Sequence, residues 1–234
     1  MISTRKIYAI CEKDLKGITR NLFVLSGVLI VPLISFIMGR GLEAEYVAQI
    51  SVMFIVMNIM MNGANIICVM IAEEKEKHTL NVLSASTVSG LDFLISKLII
   101  AVVLTAAVNA AIYFMLGLTD FMAFGPFMLI TSVAILPAAT IGAIIGIATK
   151  TQSAASTVVA PIALVPIVFP MLIPAESGVW DVLQYFFTEQ VVSGLRAVYD
   201  GEAFMANVGF IAANFAVLFV VFMLYYRKKG LSGE

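Results

Sequence analysis

Six long apolar segments, Leu22–Met38, Val47–Ala72, Leu98–Leu116, Phe121–Thr149, Thr157–Ile173 and Ala203–Tyr226, contain no Asp, Glu, Lys, Arg or His. Stretches so long and so empty of charge fit a bilayer. A spanning helix needs about 20 mainly apolar residues. In lipid it must also satisfy its backbone N–H and C=O groups within itself. The composition agrees: 61% of residues are hydrophobic and 12% charged, with a mean hydropathy of +1.03, beyond the usual apolar share of a soluble domain. The expected fold is all-α: one polytopic membrane domain over residues 1–234 with six transmembrane helices.

The basic residues orient these spans. Arg5, Lys6, Lys13, Lys16, Arg20, Lys75, Lys77, Lys97, Lys150, Arg227, Lys228 and Lys229 fall on one side, and only Arg40 and Arg196 on the other. Lys and Arg accumulate in cytoplasmic loops. Both termini are therefore expected inside a cell (inner or plasma) membrane. The acidic residues split almost evenly and carry little topological weight. The net charge of −1 selects no partner and gives no sign of nucleic acid. A mixed-charge segment precedes Leu22 and no small-residue cleavage site follows the first run, so a cleaved signal peptide is not expected. Cys11 and Cys68 both fall at or near the reducing cytoplasmic face, where a structural disulfide is not expected.

Residues 1–21 place Ile7, Cys11, Leu15, Ile18 and then Leu22 at spacings of three and four. That pattern predicts an interfacial helix on an anionic inner leaflet. In the second span Ser51, Asn58, Asn62 and Asn65 share one helical face. Unpaired amides in hydrocarbon are costly, so this stripe should face protein or water. A substrate path at a subunit interface and plain hydrogen bonding between helices both remain open.

The fourth span has Ala134, Ala138, Gly142 and Gly146 four residues apart, a small face suited to close packing within the subunit or, second, to a dimer contact. The fifth holds Pro161, Pro166 and Pro170, which predict a kinked or partly unwound helix. It is either a moving, path-lining element or a bent structural helix. The outer segment 174–202 repeats Trp180, Leu183, Phe187, Val191, Leu195 and Val198 at helical spacing. This predicts short helices in the outer interface, with Trp180 and Phe187 as candidates for an outer gate.

No GxxxxGK[ST] phosphate loop occurs, and His78 is the only histidine. No built-in ATPase, His-paired metal site or Ser–His site is therefore expected, and the chain does not read as an enzyme. The spans also lack the intramembrane ionisable residues that serve as ion relays. Energy for uphill transport would have to enter from outside the bilayer, through the segment 73–97, EEKEKHTLNVLSASTVSGLDFLISK.

That segment resembles the loop between spans two and three of ABC-2 type exporter permeases. There an acidic-basic cluster is followed by Thr-Leu, an apolar turn, a Ser-Pro-Val-Ser-like element and a lysine opening the third span. The corresponding residues here are Glu74, Glu76, Lys77, Thr79 and Leu80, then Leu83, Ser86, Val88, Ser89 and Lys97. His78 stands where a glycine is common, and Thr87 where a proline is common. The ordered set of amphipathic start, six spans, inside termini and outer segment resembles the family over the whole chain.

The resemblance implies a short coupling helix seated on a separate cytoplasmic ATP-binding cassette subunit, present in two copies. Leu80 and Leu83 would supply apolar contact beside Thr79, and Glu73, Glu74, Glu76 and Lys77 would pair with that subunit's charges. ATP and Mg would belong to the partner, with no cofactor on this chain. A second permease copy or a paralogue would complete the membrane unit. The expected function is export of a drug-like amphiphile, lipid or hydrophobic peptide. A non-transporting ATPase-docked protein (an immunity or sensor component) and a passive channel remain as other classes.

Overall fold

The structure, a computed structural model, describes residues 4–19, 21–41, 43–77, 90–174 and 176–229. The described residues are mostly helical, with no strand among them. Helix α1 (Thr4–Ile18) precedes α2 (Leu22–Gly39). The second span is α3 (Ala44–Asn58), one π-helical turn (Ile59–Gly63) and α4 (Ala64–Glu76) in a single rod. There follow α5 (Gly90–Met115), α6 (Phe121–Ala148) and α7 (Gln152–Leu172). The segment 174–202 forms α8 (Trp180–Leu183) and α9 (Phe187–Asp200), and α10 (Met205–Lys229) follows.

Among the described residues five helices are long and apolar enough to cross a membrane: Tyr46–Glu76, Leu91–Met115, Phe121–Ala148, Gln152–Pro170 and Met205–Lys228. The apolar stretch of α2, Val24–Gly39, is shorter. At 1.5 Å per residue the 18 residues of α2 rise about 27 Å, just under a hydrocarbon core of about 30 Å. The 31-residue rod of the second span rises about 46 Å and extends beyond that core. Its last turn therefore carries Glu73, Glu74 and Glu76 on helix, not on loop. Helix α5 likewise starts ahead of the expected third span and includes Asp92 and Lys97.

The core forms where α4 lies against α6. A Cβ on Gly142 would stand 1.9 Å from the carbonyl oxygen of Ala64, and one on Gly146 would stand 2.9 Å from that of Cys68. Only glycine permits this backbone approach, so the small-residue stripe is an intrachain contact. Helix α7 stays helical from Gln152 to Leu172 through all three prolines, so the partial unwinding expected from sequence does not occur. Pro170 has no N–H to offer the carbonyl of Pro166. The Thr188 hydroxyl, on α9, donates to that carbonyl at 3.1 Å instead.

Helix α1 packs on the start of α5 with Ile10, Asp14 and Ile18 buried, while Leu15 is 45% exposed. The buried face is turned from the apolar stripe read in the sequence, because a charged group, Asp14, belongs to it.

Candidate functional site: a charge-clamped end and an amide-lined pocket

The end of the second span and the start of the third meet α1 through charge. The Lys97 ammonium is fully buried and reaches Asp14 at 2.7 Å and Glu74 at 2.9 Å. Lys13, half exposed, pairs with Glu74 as well. Burial opposes the charge on Lys13, yet Glu74 and Asp14 beside it hold its ammonium above the usual range. Buried charges endure when they are paired and hydrogen-bonded. The cluster joins three elements distant in sequence.

The neighbouring residues of α4 point elsewhere. Glu73 accepts from Asn21 at 3.1 Å and pairs with Lys77 one turn on. A cavity of about 240 Å³ opens between α1 and this end of α4, lined by Gly17, Asn21, Met70 and Lys77 among others. Lys75 Nζ donates to the carbonyl of Ile147 at 2.6 Å, in the last turn of α6. Glu76 Oε2 accepts from the backbone N–H of Gln152 at 2.9 Å, the first residue of α7. Terminal carbonyls and N–H groups of a helix lack intrahelical partners, and a cation at the C-terminus and an anion at the N-terminus match the helix dipoles. Thr151 completes the start of α7 by accepting from Ala154 N–H at 3.2 Å. Thr79, Leu80 and Leu83 lie outside the described residues.

The polar stripe of the second span separates by partner. Ser51 Oγ lies 3.0 Å from the hydroxyl of Tyr199, on α9. Asn58 is fully buried and donates to Asn109 Oδ1 of α5 at 2.7 Å, and to the carbonyl of Thr105 at 3.4 Å. Asn62 donates to Asn58 Oδ1 at 2.6 Å. Asn62 and Asn65 also line a cavity of about 180 Å³ between α2, the second span and α7, beside Ser26, Gly27, Val159 and Ala163. The buried Oδ1 of Asn65 has no hydrogen-bond partner. The π-helical turn lies beside this cavity, where the helical register shifts by one residue.

The prolines and aromatics differ in burial. Pro161 is exposed, Pro166 half-buried and Pro170 buried. Phe187 is fully buried in the main core, with its ring centroid 4.9 Å from that of Phe186. Trp180 is half-buried on the separate helix α8. Among the described residues no group of three or more His, Cys, Asp or Glu could hold a metal.

Residues 7–226 match the model of a family described as ABC-2 family transporter protein. The chain belongs to the ABC-2 transporter family. No curated protein matches it. As an ABC-2 type permease it is a multi-pass membrane component of a transport system, from a family that typically works with an ATP-binding subunit.

Sequence reasoning about this permease missed Asp14, Lys75, Asn109, Gln152, Thr188 and Tyr199 as partners. Asn109 carried the clearest signal, as the one amide in an otherwise apolar third span. Gln152 carried none, because it contributes a backbone N–H that every residue except proline has.

Proposed function

We propose that this ABC-2 permease is the membrane subunit of an exporter driven by a separate cytoplasmic ATP-binding cassette subunit. Two copies of that subunit, binding ATP and Mg, would act on a permease dimer (a second copy or a paralogue) in the cell membrane, with all termini inside. The observation that carries this reading is the cavity between α2, the second span and α7. It is walled by apolar side chains with the amides of Asn62 and Asn65, and it contains no charged residue. Pockets of this kind orient a largely apolar ligand through a few polar groups. The cargo class it suits is a drug-like amphiphile, lipid or hydrophobic peptide.

The cytoplasmic ends of the spans support the same reading, since they are tied to one another and to α1 next to residues 78–89. A push from an ATPase on that segment would be shared among several spans. Asn58, by contrast, spends its hydrogen bonds on α5 and belongs to packing more than to a path.

Co-purification from detergent with the ATPase encoded nearest to it tests the proposal. A Leu80→Ala/Leu83→Ala variant is expected to lose a partner that the wild type captures. A wild type that captures no ATPase would remove the energy source and promote the channel reading. Capture without any export of amphiphiles would promote the immunity or sensor reading.

A further inference from the structure

Lys75 and Glu76 are adjacent, yet they grip opposite sides of one corner. The first holds the last turn of α6 through the Ile147 carbonyl, and the second holds the first turn of α7 through the Gln152 N–H. Between the two helices lies only the short connection of Thr149, Lys150 and Thr151. Glu76 is also among the last described residues before the 78–89 segment.

We infer that Lys75 and Glu76 form a mechanical link which ties the end of the second span to the corner between the fourth and fifth spans. This deepens the exporter reading and rests on it. Glu76 is then a positioning residue that works through α7, and its carboxylate does not serve as a charge for the ATPase. Three features support the assignment. The Glu76 acceptor meets a backbone donor that the helix itself leaves unsatisfied. Lys75 and Glu76 have the sign of charge that each helix end prefers. The helix that Glu76 reaches, α7, is also a wall of the amide-lined cavity through Val159 and Ala163. Movement at the corner would therefore alter the cavity's wall.

The chemistry provides a clean control. Glu76→Gln keeps an oxygen that accepts from Gln152 N–H but removes the charge, whereas Glu76→Ala removes both. A capping role survives the first change, and an ion pair with an ATPase survives neither.

The experiment is amide hydrogen exchange of residues 150–156, read by mass spectrometry. It is run on the permease alone and on its complex with the ATPase, with and without ATP and vanadate. On the permease alone, Glu76→Ala is expected to speed exchange there roughly two- to thirtyfold, the range for losing one helix cap, with Glu76→Gln near wild type. In the complex, Glu76→Ala is expected to retain ATPase capture and hydrolysis. It should lose the change in exchange that vanadate trapping produces in wild type, and Glu76→Gln should restore that change.

Equal exchange in all three free permeases overturns the link. So does a vanadate response that persists in Glu76→Ala. Loss of ATPase capture in both variants overturns it in favour of a docking contact. A wild type that captures no ATPase overturns the exporter reading and the link's role in it, and the exchange data on the permease alone tell this result from a failed cap.

Discussion

Lys97 of the third span and Asp14 of the amino-terminal helix meet at 2.7 Å, with side-chain exposures of 0% and 4%. Glu74 of the second span completes the contact at 2.9 Å. The cluster pins α1 to the ends of two spans, so α1 cannot slide along a membrane surface independently of them.

Lys97→Met should therefore release α1. Breaking a buried pair leaves an uncompensated charge and costs about 3–5 kcal/mol. Cys11 reports the release, because its thiol lies 3.5 Å from the Ser96 carbonyl. Burial pushes the Cys11 thiol pKa up, Asp14 pushes it further, and Lys97 opposes both. With α1 still docked, losing Lys97 would raise that pKa and slow maleimide labelling. Faster labelling of Cys11 is the expected outcome, and slower labelling would show that the cluster does not hold the helix.

Gly142→Ala should separate the second and fourth spans, since the new methyl would meet Ala64 backbone 1.9 Å away. Overpacking of this kind costs about 1–3 kcal/mol or more. A Cβ at Gly125 meets nothing within 4 Å, so Gly125→Ala is the matched control. Thermal unfolding in detergent should show a lower Tm for the first and an unchanged or higher Tm for the second.

Asn58→Leu and Asn65→Leu should fail differently. The first removes bonds to α5 and is expected to cost about 0.6–2 kcal/mol, the range for hydrogen bonds between membrane helices. The second changes a cavity wall and should leave the Tm in place while altering the resistance of cells that express the permease with its ATPase. Matching Tm values for the two variants would place both amides in the same role.

Thr188→Val keeps the shape of the side chain and loses its hydroxyl. The Pro166 carbonyl then has neither an α-helical N–H nor the Thr188 donor. A cost of about 1 kcal/mol is expected for one such bond, with Thr188→Ser close to wild type. An unchanged Tm in Thr188→Val would mean that another donor serves this carbonyl.

The all-helical membrane fold was legible because hydrocarbon punishes charge and open backbone wherever they occur, and that penalty is written residue by residue. The small face of Ala134, Ala138, Gly142 and Gly146 was legible as a close contact for the same reason, though not its partner. The proline-rich fifth span was legible only in part, since the unwinding it suggested does not occur. The sequence shows which N–H groups are missing, but not that Thr188, 22 residues after Pro166, answers one freed carbonyl.

Charge and amides show the division most clearly. The sequence alone determined a multi-pass ABC-2 permease, its polar stripe, and the acidic and basic residues gathered at the end of the second span. Only the tertiary structure decided their partners: Asp14 for Lys97, Asn109 for Asn58, and a backbone N–H for Glu76. Periodicity records which face of a helix is polar, and that is local information. A hydrogen bond has a reach of about 3 Å, so its partner is chosen by how the helices come together.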